Sequence, residues 1–356
     1  MTDKRNNVIK PIIFSLIAAG IILSTDYYVD SYASLRVTYD KIAQIAQEHN
    51  YYLGTEIPLS ERKAKWARVN RMERKHSMAL GSSRIQMLTS DNLAEDSFYN
   101  MCVSGGSSVN DYLAEIYILY SQEKLPNKLL MEISPPMFNA HSNEIRWKEW
   151  RDNAVYMRQL LEGSIPEEKQ PGLGIQWKDL VSPSYFQYNF QNLKAGKRVW
   201  IGTTDEFDTP LYMTVHKDGS YMYGKDYQYH YSEDEILQET ETICRNRTLY
   251  GCGGYTEIDE NLQETFEELI QFLLDHQVEV SFYLPPYSRP MYDFICKDGE
   301  YQIITEVEAY ILDYGKQKEI KILGSYDPDG SDLETEDFYD PYHIRIEKIM
   351  DTLWRR

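Results

Sequence analysis

Hydrophobic positions along the chain fall into three regimes. The first is an unbroken apolar run of 13 residues, Pro11 to Leu23, with no charge inside it. Asp26, Tyr27 and Tyr28 follow. A bilayer core needs ~20 residues of helix. Val8 and Ile9 extend the run, and Lys10 can lie along it with its ammonium among the headgroups. The pattern predicts a cytoplasmic tail and transmembrane signal-anchor over residues 1–28. A cleaved signal peptide is the rival, with Ser31-Tyr32-Ala33 as a small-x-small site. That site lies ten residues past the run and behind two aspartates, which favours the uncleaved anchor. Lys4, Arg5 and Lys10 precede the run, so the main domain is expected outside the cytoplasm.

The second regime, residues 29–75, is polar with sparse apolar residues. Ile42, Ile45 and Ala46 share one helical face. Leu59 to Lys75 carries Arg62, Lys63, Lys65, Arg68 and Arg71. This regime reads as a stalk or linker whose basic residues form a solvated face.

From residue 76 short apolar runs alternate with helix-period stretches. Strands are predicted at 77–80, Phe98–Ser104, Lys128–Ile133, Val278–Leu284 and Glu319–Leu323. Helices are predicted at 84–92, 107–123, 259–275 and 301–315, with a closing helix over Ile344–Leu353. Consecutive apolar residues suit parallel strands buried on both faces. The fold class is therefore α/β. The expected form is a flavodoxin-like three-layer sandwich with a central parallel sheet of about five strands, over residues 76–356.

Residues 137–257 break this alternation as an inserted, cap-like region. A helix is predicted over 143–162, bearing Arg146, Trp147 and Trp150. A hairpin is predicted over Leu211–Tyr223, turning at Lys217-Asp218-Gly219. Insertions at the carboxyl edge of such a sheet commonly shape binding, so a lid over the site is expected.

Composition narrows the partners. The net charge is −19, and residues 1–25 contribute +2 of it. An acidic body lacks the basic footprint of a nucleic-acid binder. Thirty tyrosines supply apolar rings with polar tips, suited to a contact surface. Among the four cysteines, Cys244 and Cys252 are close enough in sequence to pair in an oxidising compartment. Cys102 reads as a small buried hydrophobe. No spacing of Cys or His suggests a metal site, and no cofactor is implied.

The candidate chemistry lies at two distant places. Met78-Ala79-Leu80 runs into Gly81-Ser82-Ser83-Arg84, a strand end that turns sharply. Near the other end stands Tyr339-Asp340-Pro341-Tyr342-His343. A serine needs a base within hydrogen-bond reach, and the base needs an orienting group. His343 with Asp340 three residues before it supplies both. His49, His76, His141, His216, His230 and His276 lack an aspartate so placed at a strand end. Ser82 and Asp337 are the nearest rivals to Ser83 and Asp340. Arg84 reads as a helix starter or an anion ligand.

These two blocks resemble those of the SGNH (GDSL-like) hydrolase superfamily, Gly-Asp/Ser-Ser and Asp-x-x-His. The closer similarity is to its membrane-anchored DltD-like and alginate O-acetylation branch, over roughly residues 76–135 and 260–356. The resemblance implies Ser83 as nucleophile, His343 as general base and Asp340 as its orienter. Ser83 and Gly105, in Val103-Ser104-Gly105-Gly106-Ser107, would supply oxyanion N–H groups, with Gly106 sharing that role or easing the turn. The Gly-x-Asn-Asp block is missing. Glu132-Ile133-Ser134-Pro135-Pro136 stands in its place, so one oxyanion donor is unassigned. The resemblance further implies a serine esterase or O-acyltransferase acting on an acylated glycan or other envelope polymer, with a membrane-bound acyltransferase as possible partner. A non-catalytic envelope scaffold or glycan-binding protein of the same fold is the alternative.

Overall fold

The computed structural model describes residues 2–53, 59–106, 108–164, 182–206, 213–229, 231–297 and 299–353. The chain opens with α1 (Thr2–Val29), α2 (Tyr39–Glu48), β1 (Asn50–Leu53) and α3 (Glu61–Arg71). Then come β2 (Ser77–Leu80), the short α4 (Ser90–Leu93), β3 (Phe98–Asn100), α5 (Val109–Tyr120) and β4 (Lys128–Glu132). The insertion holds α6 (Arg151–Leu161), α7 (Pro183–Lys194), β5 (Ile201–Thr204), β6 (Thr214–Val215), β7 (Tyr221–Met222), α8 (Lys225–Gln228) and α9 (Glu233–Asn246). The alternation closes with α10 (Glu260–Asp275), β8 (Glu279–Leu284), α11 (Arg289–Lys297), α12 (Ile303–Lys318) and β9 (Lys321–Gly324).

Five strands form a parallel sheet in the order β3-β2-β4-β8-β9. Counted along the chain this is 2-1-3-4-5, the flavodoxin-like order. The order reverses between β2 and β4, and the carboxyl ends of these two strands open the crevice where ligands bind in such sheets. Side chains alternate across the sheet, as a period of two requires. Met78, Leu80, Leu129, Met131, Val280 and Phe282 join the main core with residues of α5, α10 and α12. Ala79, Tyr283 and Leu323 face the other side, against Ile85, Leu88 and Ile349.

That second layer is thinner than expected. The helix predicted at 84–92 is a run of turns ending in α4. The reason is Asn100, fully buried, whose side-chain amide donates to the carbonyls of Ile85, Gln86 and Leu88. These carbonyls are held in turns: Ile85 O also takes the Leu88 N–H at 3.0 Å, three residues on, and Gln86 O takes the Tyr221 N–H at 2.9 Å from the insertion. The same side chain accepts from the Cys102 N–H at 2.9 Å and bends the chain, so β3 stops at Asn100 rather than Ser104. The closing helix is a 3₁₀ helix over Ile346–Thr352. Thr352 Oγ1 donates to Ile349 O, and the two buried residues fall three apart on one face, as the tighter helix dictates. No helix was expected where α11 lies.

The predicted stalk is folded against the body. α2 packs on α3, and β1 is the second strand of an antiparallel sheet ordered β5-β1-β6-β7. Its other strands come from the insertion. The basic residues of α3 do not form a solvated face: Arg62, Lys65 and Arg68 are buried. The hairpin forms over its described residues, with the β6–β7 pair joined by His216 to Ser220. The predicted 143–162 helix is a 3₁₀ turn, Arg146–Trp150, followed by α6. α6 packs along α5 and buries Met157 in the main core, so it is core rather than lid. Cys244 and Cys252 are not joined by a disulfide, and Cys102 is buried. Burial pushes the Cys252 thiol up to about 12.

α1 is long and apolar enough to cross a bilayer over Ile9–Val29, 21 residues with a mean hydropathy of 1.8. Its apolar side chains stand clear of the body, Phe14 by 73% and Leu16 by 68%.

Candidate active site

The turn after β2 is shaped by a buried carboxylate from β4. Glu132 is fully buried, and its carboxylate accepts from the Ser82 backbone N–H at 2.6 Å, from Ser82 Oγ at 2.8 Å and from Ser134 Oγ at 2.6 Å. Gly81 lets the two strand ends approach this closely. A Cβ there would lie 2.6 Å from Glu132 Cβ and 2.9 Å from Ile85 Cγ2. The arrangement separates the adjacent serines. Ser82 is spent on Glu132, and Ser83 is left facing the crevice.

Ser83 Oγ lies 2.8 Å from His343 Nε2. On the other side of the ring, His343 Nδ1 lies 2.7 Å from Asp340 Oδ2 and 2.9 Å from Oδ1. An Nδ1–H donated to the carboxylate leaves the Nε2 lone pair to accept the serine proton. Asp340 also accepts from the backbone N–H groups of Tyr342 at 2.7 Å and His343 at 2.9 Å, so one carboxylate sets both the loop and the ring. Burial alone would push the Asp340 carboxyl up. The facing imidazole and the two N–H groups outweigh it and hold the group below its ordinary value. The Tyr339 ring stacks on the imidazole at 5.2 Å and 10°, closing off its other freedom.

Arg84 does not start a helix. Its guanidinium donates to Pro285 O at 2.8 Å, Pro286 O at 2.6 Å and Tyr342 O at 3.2 Å, and lies 4.3 Å over the Tyr287 ring. It ties the serine turn to the end of β8 and to the histidine loop. Asp337 turns away from the site toward Lys348, at 3.4 Å.

The 103–106 loop stands beside Ser83. Gly105 adopts φ +59°. Among the described residues, no acceptor pairs with the backbone N–H of Ser83 or of Gly105. Gly106 does not share that role, because its N–H donates to Val103 O at 2.8 Å. Two residues of α3 brace the loop from behind. The buried Arg62 donates to Ser104 O at 3.3 Å and Gly105 O at 3.4 Å, and is itself held by Asp111 at 2.9 Å. Glu61 accepts from the Ser104 N–H at 2.6 Å. A trans peptide points its N–H opposite its carbonyl. Holding the Ser104 carbonyl toward Arg62 therefore turns the Gly105 N–H the other way.

These groups border a cavity of ≈ 280 Å³, lined by Ser83, His343, Gly105, Ser134, Tyr287 and Tyr342 among others. The insertion supplies part of its wall through Met137, Ser142, Glu144, Arg146, Tyr223, Tyr250 and Gly251. Arg146, Glu144 and Tyr250 form one cluster: Arg146 Nη2 donates to Tyr250 Oη at 2.8 Å, and Glu144 accepts from the Tyr250 hydroxyl at 2.5 Å. Burial opposes ionisation of Glu144, but Arg146 and Tyr250 hold it at about 2. The Arg146 guanidinium rests against Gly105, where any Cβ would collide with it.

Sequence reasoning had named Ser83, His343, Asp340 and Gly105 from opposite ends of the chain, and the fold brings them together. It missed the roles of Glu132, Glu61 and Arg62, and gave Arg84 a different one. Glu132 left a signal, a lone acid at the end of an apolar strand. Arg62 left none, because nothing local distinguishes a buried arginine from its exposed neighbours. No family model and no curated protein matches this chain.

Proposed function

We propose that the protein is a membrane-anchored SGNH-type serine esterase or O-acyltransferase, working on cell-envelope carbohydrate outside the cytoplasm. The observation that carries this reading is the hydrogen-bonded chain Ser83–His343–Asp340 on the border of a cavity, with the N–H groups of Ser83 and Gly105 beside it. Ser83 Oγ bonds to the carbonyl carbon of an ester as His343 Nε2 takes its proton. The oxyanion is met by the two N–H groups, each worth ~3–4 kcal/mol when well aimed. The carbon–oxygen bond to the leaving alcohol breaks, and His343 returns the proton to that oxygen. Water or a sugar hydroxyl, deprotonated by His343, then attacks the acyl carbon, the bond to Ser83 Oγ breaks, and His343 returns the proton to Oγ. The tyrosine rings and serine hydroxyls around the cavity suit a neutral sugar, which also fits the acidic body. By the resemblance, a membrane-bound acyltransferase would be the partner that delivers the acyl group.

Intact-mass analysis of the full chain in detergent after exposure to a fluorophosphonate tests the reading. One adduct is expected on the wild type and none on Ser83→Ala. A folded wild-type chain without an adduct would instead favour the scaffold or glycan-binding reading.

A further inference from the structure

We propose, resting on the reading of α1 as a membrane anchor, that α7 and the chain after it to Trp200 lie in the headgroup layer of an anionic bilayer. The place would be beside the point where α1 emerges.

The roll of α7 is set by polar contacts with the end of α1. Asn189 is fully buried. Its amide donates to Asp26 Oδ1 at 2.8 Å, and its carbonyl accepts from the Ser31 N–H at 3.1 Å. Asn192 donates to Ser31 Oγ at 3.1 Å, and the Tyr185 ring stacks on Tyr32 at 4.5 Å. Asp26 lies three residues inside the end of the Ile9–Val29 span. At 1.5 Å per residue, the contact is about 5 Å from that end. α7 is thus fixed at the level where a spanning α1 would leave the hydrocarbon.

With the asparagines turned to α1, an apolar flank is left open. Phe186 and Phe190 stack at 5.8 Å, and Lys194 Nζ lies 4.7 Å from the Phe190 ring. Phe190 is 40% exposed and Leu193 37%. Tyr27 and Tyr28 of α1 are also exposed, and Arg198 sits over the Tyr28 ring at 5.1 Å. Aromatic rings with lysine and arginine at one level are what a membrane interface selects.

Charge separates lipid from other occupants. The chain carries 56 acidic residues, yet none falls between Ser182 and Thr204. The same stretch carries Lys194, Lys197 and Arg198. A locally cationic, aromatic face on an otherwise acidic body complements anionic phospholipid headgroups.

The test places a benzoylphenylalanine photocrosslinker in the full chain, reconstituted in phosphatidylcholine–phosphatidylglycerol vesicles. The positions are 190, 193, 14 and 229, and the readout is intact mass. Lipid adducts are expected at 190 and 193 as at 14, and none at 229, where Tyr229 is exposed on α8's flank. Charge reversal at the exposed Lys194→Glu and Arg198→Glu is expected to lower the adduct at 190 several-fold. An adduct at 14 without one at 190 or 193 would overturn the proposal and leave the anchor standing. No adduct at 14 would overturn both. In native membranes, a crosslink from 190 to a protein in place of lipid would make this face a protein interface and also overturn it.

Discussion

The two sheets are assembled by opposite routes. In the parallel sheet, β2, β3 and β4 arrive in quick succession, and β8 and β9 complete it after the insertion. In the antiparallel sheet, Asn50 of β1 pairs with Thr204 of β5, and Tyr51 with Val215 of β6. The first sheet places Ser83, Gly105 and His343 on loops at its carboxyl edge. The second bears none of them, yet the segment leading out of it, α3, reaches across to brace the Gly105 loop. Groups proposed to meet a substrate and groups that hold them still are thus kept apart, and the two kinds are expected to fail differently when removed.

The largest effect belongs to the first sheet. Asp340→Asn keeps an oxygen for the backbone N–H groups of Tyr342 and His343. It replaces the carboxylate facing His343 Nδ1 with an amide that favours the wrong tautomer. A loss of acyl turnover on the order of 10³–10⁴-fold is expected, with little change in unfolding temperature. Comparable losses of turnover and stability would mean that Asp340 holds the loop rather than the histidine.

Arg62→Met probes the brace. Among the described residues it leaves the fully buried Asp111 with Trp150 Nε1 and Ser108 as its remaining side-chain donors. Breaking a buried pair from one side costs ~3–5 kcal/mol, so a large fall in stability is expected. The double variant Arg62→Met with Asp111→Leu removes the orphaned charge and is expected to recover most of that stability. Turnover should stay low in the double variant, because the Ser104 and Gly105 carbonyls remain unheld. Recovery of both together would reduce Arg62 to packing and dissolve the distinction between the two regions.

The same division governs what was legible in the sequence. The parallel strands announce themselves as apolar runs ending in Gly or Pro, and four of the five match within two residues. Ser83 and His343 could be paired because the two short blocks that hold them resemble a family's pair, with a base and its orienting aspartate in one of them. The two shortfalls on the second face of the parallel sheet share one cause. Tertiary hydrogen bonds, from Asn100 to three carbonyls and between Tyr283 and Thr352, override local helix preference. Of the second sheet only the β6–β7 hairpin was legible; β1 and β5 were not. Its strands are two to four residues long, and β1 meets its partners only after the chain has passed through the whole first half of the parallel sheet. A basic run such as Arg62 to Arg71 carries a solvated look wherever its partners lie far away in sequence.

Lys65 gives the smallest effect and the sharpest check on that last point, because its titration reports burial directly. The ammonium donates to Asn100 O at 2.6 Å and to Gly219 O, between the rings of Tyr99 and Tyr221. Burial pushes its pKa down to about 8, against an ordinary value of 10.5. Below pH 8 the amine is charged in both folded and unfolded chains and contributes no slope. Between pH 8 and 10.5 the unfolded chain binds the extra proton, so this group makes stability rise with pH. Lys65→Met removes the contribution while filling the same channel. The buried tyrosines and the acidic surface titrate alike in both proteins and cancel in the difference. The stability of wild type relative to Lys65→Met is expected to grow by about 2 kcal/mol between pH 8 and pH 10. Denaturant unfolding in detergent at successive pH values measures it. Parallel curves would mean that Lys65 stays solvated, and that α3 touches the parallel sheet less closely than its hydrogen bonds imply.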